Sequence, residues 1–403
     1  MSRGSRGTAL ICFLILAPLA VGPAACSGND QPSDAAPYDA TAHVALNVGE
    51  NGRAVDPDKP LEITARDGSR ITAVRAIDTA GRPLDGALSA DGARWRSSTP
   101  PAAATRYTVV VSTEKDGAPG RRTVDLATRP AEGGKELGIV FGPARGTYGV
   151  GQPLTAELDR TVGSGEERAI VERALKVEST PAIAEGSWYW VDGRTLHYRP
   201  RTYWPAHATV VVRSALEGVW IRDGLRGGET KPLSIRTGDR VEAVVDIDDT
   251  RMTVRKNGKT LKTVPVTTGK PGFRTREGVK VVLGRQANVR MTGTSIGIPE
   301  GSPESYDLPV QWATQLTESG EYAHAAPWSA EFHGRDNVSH GCTGMSVENA
   351  HWFFTTVRQG DIVRYVDGEE DSPRMPPFGN GFGDWNLSWE EWRKGSALRA
   401  DRT

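Results

Sequence analysis

The chain has 403 residues, of which 37% are hydrophobic and 25% charged; this excludes a wholly disordered polymer and implies two to four domains. The 49 basic and 50 acidic residues nearly cancel, so no global positive field draws the protein to nucleic acid. The three cysteines, Cys12, Cys26 and Cys342, are too few for a disulfide scaffold.

The N-terminus reads as an export signal. Arg3 and Arg6 precede an apolar run from Ala9 to Ala20, shorter than the roughly 20 residues a membrane-spanning helix needs. Pro23-Ala24-Ala25-Cys26 resembles a bacterial lipobox, with Pro23 where Leu is usual. The expectation is that residues 1–25 are removed and that Cys26 carries a lipid anchor on the outer face of the membrane. Cys342 is then a lone thiol outside the cell, where oxidation threatens it, and its presence calls for a chemical reason.

Residues 26–45 are rich in Ser, Asp, Ala and Pro and read as a flexible tether. From 46 to 130 short β-type runs such as Ile71-Thr72-Ala73-Val74 and Tyr107-Thr108-Val109-Val110-Val111 alternate with turns such as Ala80-Gly81-Arg82-Pro83. That pattern predicts a β-sandwich. Residues 131–238 repeat it: Asp91-Gly92 and Thr108-Val109-Val110-Val111 recur 101 residues later as Asp192-Gly193 and Thr209-Val210-Val211-Val212. Two tandem sandwiches follow from the repeat. Neither gathers nucleophiles or ligands, and His197 and His207 read as surface or packing residues.

Residues 239–366 read as a third, β-rich catalytic unit with few helices. Asn257-Gly258 predicts a type I′ hairpin between strands near 252–255 and 261–267. A helix is expected at 346–358, capped by Ser346, with Val347, Ala350, Phe353 and Phe354 on one face. A strand closes the unit at 361–366. The tail, 367–403, holds Trp385, Trp389 and Trp392, and Ser388 with Glu391 fits a capping box; it is expected to pack on the catalytic unit.

The chemistry concentrates in Ser339-His340-Gly341-Cys342-Thr343-Gly344-Met345. A thiol needs a base to become a nucleophile near neutral pH, and His324 and His340 are the candidates. Gly341 permits a tight backbone approach, and its N–H with that of Cys342 is suited to a developing oxyanion. A zinc site from His324, His333, His340 and Cys342 is an alternative whose spacing matches no familiar zinc pattern. A buried inert thiol is another. His333 and His351 read as ordinary loop and helix residues.

The segment resembles the active-site motif of the L,D-transpeptidases with a YkuD-type catalytic domain, in which a His precedes a Ser/Thr-His-Gly-Cys run. His324 stands 18 residues before Cys342, as the motif has it. Trp312-Ala313-Thr314-Gln315, Ser319-Gly320, His324-Ala325-Ala326-Pro327-Trp328-Ser329, Gly360-Asp361-Ile362-Val363 and Gly383-Asp384-Trp385-Asn386 resemble the actinobacterial branch, where two immunoglobulin-like domains precede the catalytic one. The resemblance implies Cys342 as the acylated nucleophile, His324 as its base and the Ala325 carbonyl as the group that orients the imidazole. It places Ser339, His340 and Gly341 at the pocket, His340 as a structural or oxyanion-side residue. It makes Tyr306 a lid tyrosine and Trp328 a pocket aromatic, and it puts Thr343 and Gly344 beside substrate. Asn is usual where Gly344 stands. The implied reaction joins peptidoglycan stem peptides in 3→3 crosslinks through a thioester, without metal or cofactor, and carbapenems are the implied inhibitors. Water as acceptor would give an L,D-carboxypeptidase, and a protein lysine an anchoring enzyme. A dead catalytic unit would leave a wall-binding spacer.

Overall fold

The computed structural model describes residues 36–398 except 50–53, 80, 131–132, 164, 369 and 371. The expected signal at 1–25 and Cys26 lie outside the described residues. Strands dominate, with helices at Gly165–Ala174, Val347–Thr356 and Trp389–Lys394.

The first sandwich packs a sheet built on Arg70–Asp78, Arg106–Lys115 and Ala118–Thr128 against one built on Val44–Leu46, Glu62–Ala65, Arg94–Ser97 and Gly86–Leu88. Strict alternation sends Tyr107, Val109 and Val111 inward to meet Ile63, Ile71 and Trp95. The sandwich begins earlier than the tether reading allowed. Tyr38–Asp39 pairs in parallel with the strand at Ala118–Thr128, and Ala40 and Val44 are buried. Two-residue edge strands leave little periodicity, so small polar residues there pass for linker.

The second sandwich repeats the strand order of the first in both sheets. Ile139–Gly142, Leu154–Leu158, Thr195–Pro200 and Gly186–Trp190 form one, and Thr147–Tyr148, Leu233–Thr237, Thr209–Ser214 and Leu175–Thr180 the other. The repeated Asp-Gly pairs do the same local work. Asp91 Oδ1 accepts from Ala93 N–H at 2.9 Å, and Asp192 Oδ1 accepts from Arg194 N–H at 2.6 Å, each closing a hairpin turn. The helix Gly165–Ala174 is an addition that the β-type pattern did not predict. Glu166 and Glu167 lie in its first turn and Arg173 in its last, which suits the helix dipole, while Ile170 and Val171 enter the core.

The catalytic unit packs a five-stranded sheet against a four-stranded one. The first runs Lys259–Pro265, Arg251–Lys256, Val241–Asp246, Ile362–Val366 and Gly278–Val281. The second runs Gly284–Thr292, Asp307–Gln315, Tyr322–Ala325 and Thr343–Met345. Asn257 (φ 50°) and Gly258 (φ 81°) close the predicted hairpin with the positive φ angles a type I′ turn needs. Ser346 caps the helix Val347–Thr356 by accepting from Asn349 N–H. Its buried face is Ala350 and Phe353. Val347 stays exposed, and Phe354 turns to Trp312 on the outside, so the expected apolar face is narrower than four residues.

The tail packs on both units. On the catalytic unit Arg374 pairs with Glu277 at 2.8 Å, the Met375 N–H donates to Glu277 O, and Asn380 Oδ1 accepts from Ser319 N–H at 2.7 Å; the contacts with the second sandwich are as extensive and were not expected. Trp385 Nε1 donates to Gly151 O at 2.7 Å and Trp392 Nε1 to Ser187 O at 2.9 Å. The Arg199 guanidinium lies over the rings of Trp385, Trp389 and Trp392, at 4.8, 5.5 and 4.6 Å. His197 Nδ1 meets Asp384 Oδ1 at 2.7 Å, so this histidine is a strut between sandwich and tail, while His207 sits exposed beside Asp239. Asn386 reaches the catalytic unit by exchanging hydrogen bonds with the Val279 backbone. The tail therefore straps one unit to the other. Trp392 is fully buried, and Trp392→Ala is expected to cost about 3–5 kcal/mol, read as a lower urea midpoint by circular dichroism.

Candidate active site

His324 lies on the strand Tyr322–Ala325, and Cys342 immediately precedes the strand Thr343–Met345. These two strands run parallel, with His324 opposite Gly344, which brings Cys342 and His324 to one end of adjacent strands. Cys342, His324, Tyr306, Trp328, Ser339 and His340 line one cavity of about 300 Å³, together with Gly344. A larger groove of about 510 Å³ between the two sandwiches is lined by no cysteine or histidine.

The imidazole is held in one orientation. His324 Nδ1 donates to Ala325 O at 2.8 Å, which leaves Nε2 without its proton and ready to take one. Trp328, half-exposed at the mouth, lies 6.0 Å from the His324 ring. Burial pulls the His324 pKa below the usual imidazole range, the Ala325 carbonyl opposing and His333 assisting. Burial pushes the Cys342 thiol up to about 11, against the hydrogen bond from the Tyr322 amide. Both shifts favour a neutral thiol and a neutral imidazole at rest.

The turn before Cys342 is locked from several sides. Gly341 has φ 115°, which a side chain would strain. Ser339 Oγ donates to Cys342 O at 2.6 Å and accepts from Gly341 N–H at 3.1 Å. Thr275 Oγ1 donates to Gly341 O at 2.8 Å. Above it, Glu304 joins His340 Nε2 at 2.7 Å and Lys270 Nζ at 2.6 Å, which pins the loop carrying Tyr306 over the cavity; Tyr306 stacks obliquely on His340 at 5.1 Å. Lys270 and His340 hold the Glu304 carboxyl below its usual range.

Two family models match the chain: "Bacterial Ig domain" over residues 52–220 and "L,D-transpeptidase catalytic domain", the YkuD family, over residues 240–364. L,D-transpeptidase 2 of Mycobacterium tuberculosis (strain CDC 1551 / Oshkosh) is 33% identical over 355 residues, covering 88% of this chain and 85% of the relative. The chain belongs to the L,D-transpeptidases. L,D-transpeptidase 1 of Mycobacterium tuberculosis (strain ATCC 25618 / H37Rv) is 35% identical over 225 residues, 56% of this chain and 82% of that protein. A solved structure of the L,D-transpeptidase LdtMt1 in complex with imipenem is 32% identical and covers 58% of this chain and all of that one, at a TM-score of 0.50.

Within this L,D-transpeptidase two expected site residues need correction, Thr343 and Gly341. Thr343 does not face the cavity: it is fully buried, and its hydroxyl meets Tyr365 OH at 2.6 Å. The Gly341 N–H is engaged by Ser339, so it is no free oxyanion donor; the Cys342 amide has no hydrogen-bond partner among the described residues. Gly344 has no room for the Asn usual in the family, since even a Cβ there would lie 2.9 Å from Thr267 and 3.0 Å from Ala326. The four side chains of the zinc alternative do not converge: His340 is turned to Glu304 and His333 to Ser329. Thr267, Met291, Leu308 and Val310 also line the cavity and escaped the sequence reading, lying far from the motif along the chain.

Proposed function

We propose that this enzyme forms 3→3 peptidoglycan crosslinks with Cys342 as nucleophile and His324 as base. The observation that carries the reading is the Ala325 carbonyl on His324 Nδ1, which leaves Nε2 free in the cavity that Cys342 lines. Cys342 attacks the carbonyl of the third residue, a diamino acid, of a tetrapeptide stem while its proton passes to His324 Nε2. The Cys342 amide donates to the oxyanion. Collapse breaks the bond to D-Ala, whose amine leaves with the proton, and a thioester remains. The side-chain amine of a second stem attacks the thioester, gives a proton to His324 and releases the thiol. A second cleft, lined by Phe273, Arg276, Ser319 and Gly320, flanks the nucleophile turn and offers the second stem an approach. Carbapenems acylate the same sulfur in this reading, consistent with the imipenem complex of LdtMt1.

The remaining assignments extend the same reading. Residues 1–25 direct export, Cys26 carries the lipid anchor, and the two sandwiches, to residue 238, space the catalytic unit of 239–366 out into the wall. No helix among the described residues is long and apolar enough to cross a membrane. Incubation with disaccharide tetrapeptides is expected to yield crosslinked dimer and free D-Ala, read by mass spectrometry. D-Ala with tripeptide alone would make the enzyme a carboxypeptidase. Wall binding with no turnover would make it a spacer.

A further inference from the structure

Two charged side chains that the acyl transfer does not use lie buried beneath the nucleophile. Lys280, on the strand Gly278–Val281, is fully buried. Its Nζ meets Glu321 Oε2 at 2.6 Å and lies 3.8 Å from the centre of the Tyr365 ring. Glu321 is 6% exposed, and its other oxygen accepts from Arg276 N–H and Nη1, at 3.2 and 2.9 Å. A buried pair of this kind stabilises a fold no better than well-packed apolar side chains, so its presence asks for another role.

Its position supplies one. The residues flanking Glu321 are the two whose backbones touch the sulfur. The Cys342 thiol donates to Gly320 O at 3.5 Å, and the backbone amide of Tyr322 favours its ionised form. Glu321 N–H and C=O are themselves tied to Thr317 and Leu316, so the side chain anchors the whole turn. On the other side Tyr365 bridges from the Lys280 ammonium to Thr343, the residue after the nucleophile.

We propose that Lys280 and Glu321 are positioning residues for the nucleophile: their ion pair holds residues 320–322 against the Cys342 sulfur and sets opposed charges beneath it. This rests on Cys342 being the acylated group. The charged and titratable groups around the sulfur are Lys280, Glu321, Tyr306, Tyr322 and Tyr365, with His324 and His340 on the cavity wall and Arg276 behind Glu321. Of the pair, Lys280 favours the thiolate and Glu321 opposes it. The two therefore act on the thiol in opposite senses.

The test is the pH dependence of iodoacetamide alkylation, read at the Cys342 peptide of the full chain. Lys280→Met is expected to raise the alkylation midpoint, slowing reaction about tenfold per pH unit at a fixed pH below it. Glu321→Gln, which keeps an acceptor for Arg276, is expected to lower the midpoint and speed the reaction. Shifts in the same direction, or no shift in either variant, would overturn the proposal. If Lys280→Met does not fold, Glu321→Gln decides alone: a lower midpoint supports the pair, and an unchanged or higher one sinks it. A carbapenem adduct on wild-type Cys342, measured in parallel, keeps the two readings apart. Its absence counts against the nucleophile assignment, whereas its presence with unmoved midpoints counts against the ion pair alone.

Discussion

Cys342→Ala is expected to abolish covalent capture of a carbapenem and all crosslinking, while the protein stays folded. Wild type should gain the mass of one drug molecule per chain, and the variant none. The effect is absolute because, in the proposed mechanism, the group removed is the one that forms the thioester; neither His324 nor the Cys342 amide can hold an acyl group in its place. Stability should change little. The residue keeps some surface exposed although its thiol is desolvated, its hydrogen bond to Gly320 is long, and Ala fills most of its volume. Intact-protein mass spectrometry beside a thermal melt reads both. An adduct that persists in the folded variant would move the nucleophile elsewhere and undo the reading of the cavity.

The parts of this site that a sequence reader can see are the ones set by local spacing. His324, Ala325 and the Ser339-to-Cys342 turn form a compact pattern; the structure brings His324, Ser339, His340 and Cys342 to one cavity and sets the Ala325 carbonyl behind the imidazole. Thr343 shows where linear reading misleads. Beyond the nucleophile the chain is a strand, so successive side chains point to opposite faces: Gly344 lines the cavity, and Thr343 points away to Tyr365. Lys280 is harder still. In Gly278-Val279-Lys280-Val281 a lysine reads as the solvent side of a strand, because buried ammonium groups are rare without a partner. The partner, Glu321, sits in what looks like an ordinary Gly-Glu turn, and only tertiary structure joins the two. The sandwiches were legible through repetition, since the same strand order uses the same turn residues at the same interval. The tail was legible as a capped helix but not as a strap. Three tryptophans announce burial, and nothing local says that their common target is Arg199.

His324→Ala is expected to slow carbapenem acylation about 10²- to 10⁴-fold near pH 7 and to change the shape of the pH profile. In the proposed mechanism the wild-type base is the neutral imidazole. Burial holds its pKa below the usual value of about 6.5, so the rate falls only in acid below that and is level above it. Without His324 the reaction must wait for the free thiolate. The buried thiol ionises near pH 11, so the variant's rate should climb about tenfold per pH unit across the range where wild type is flat. The two profiles converge toward high pH, where hydroxide does the work of the imidazole. Stopped-flow acylation between pH 6 and 10 separates the cases. A variant profile as flat as that of wild type would mean that another group takes the thiol proton, and His340, held to Glu304 at the lid, would be the first to replace.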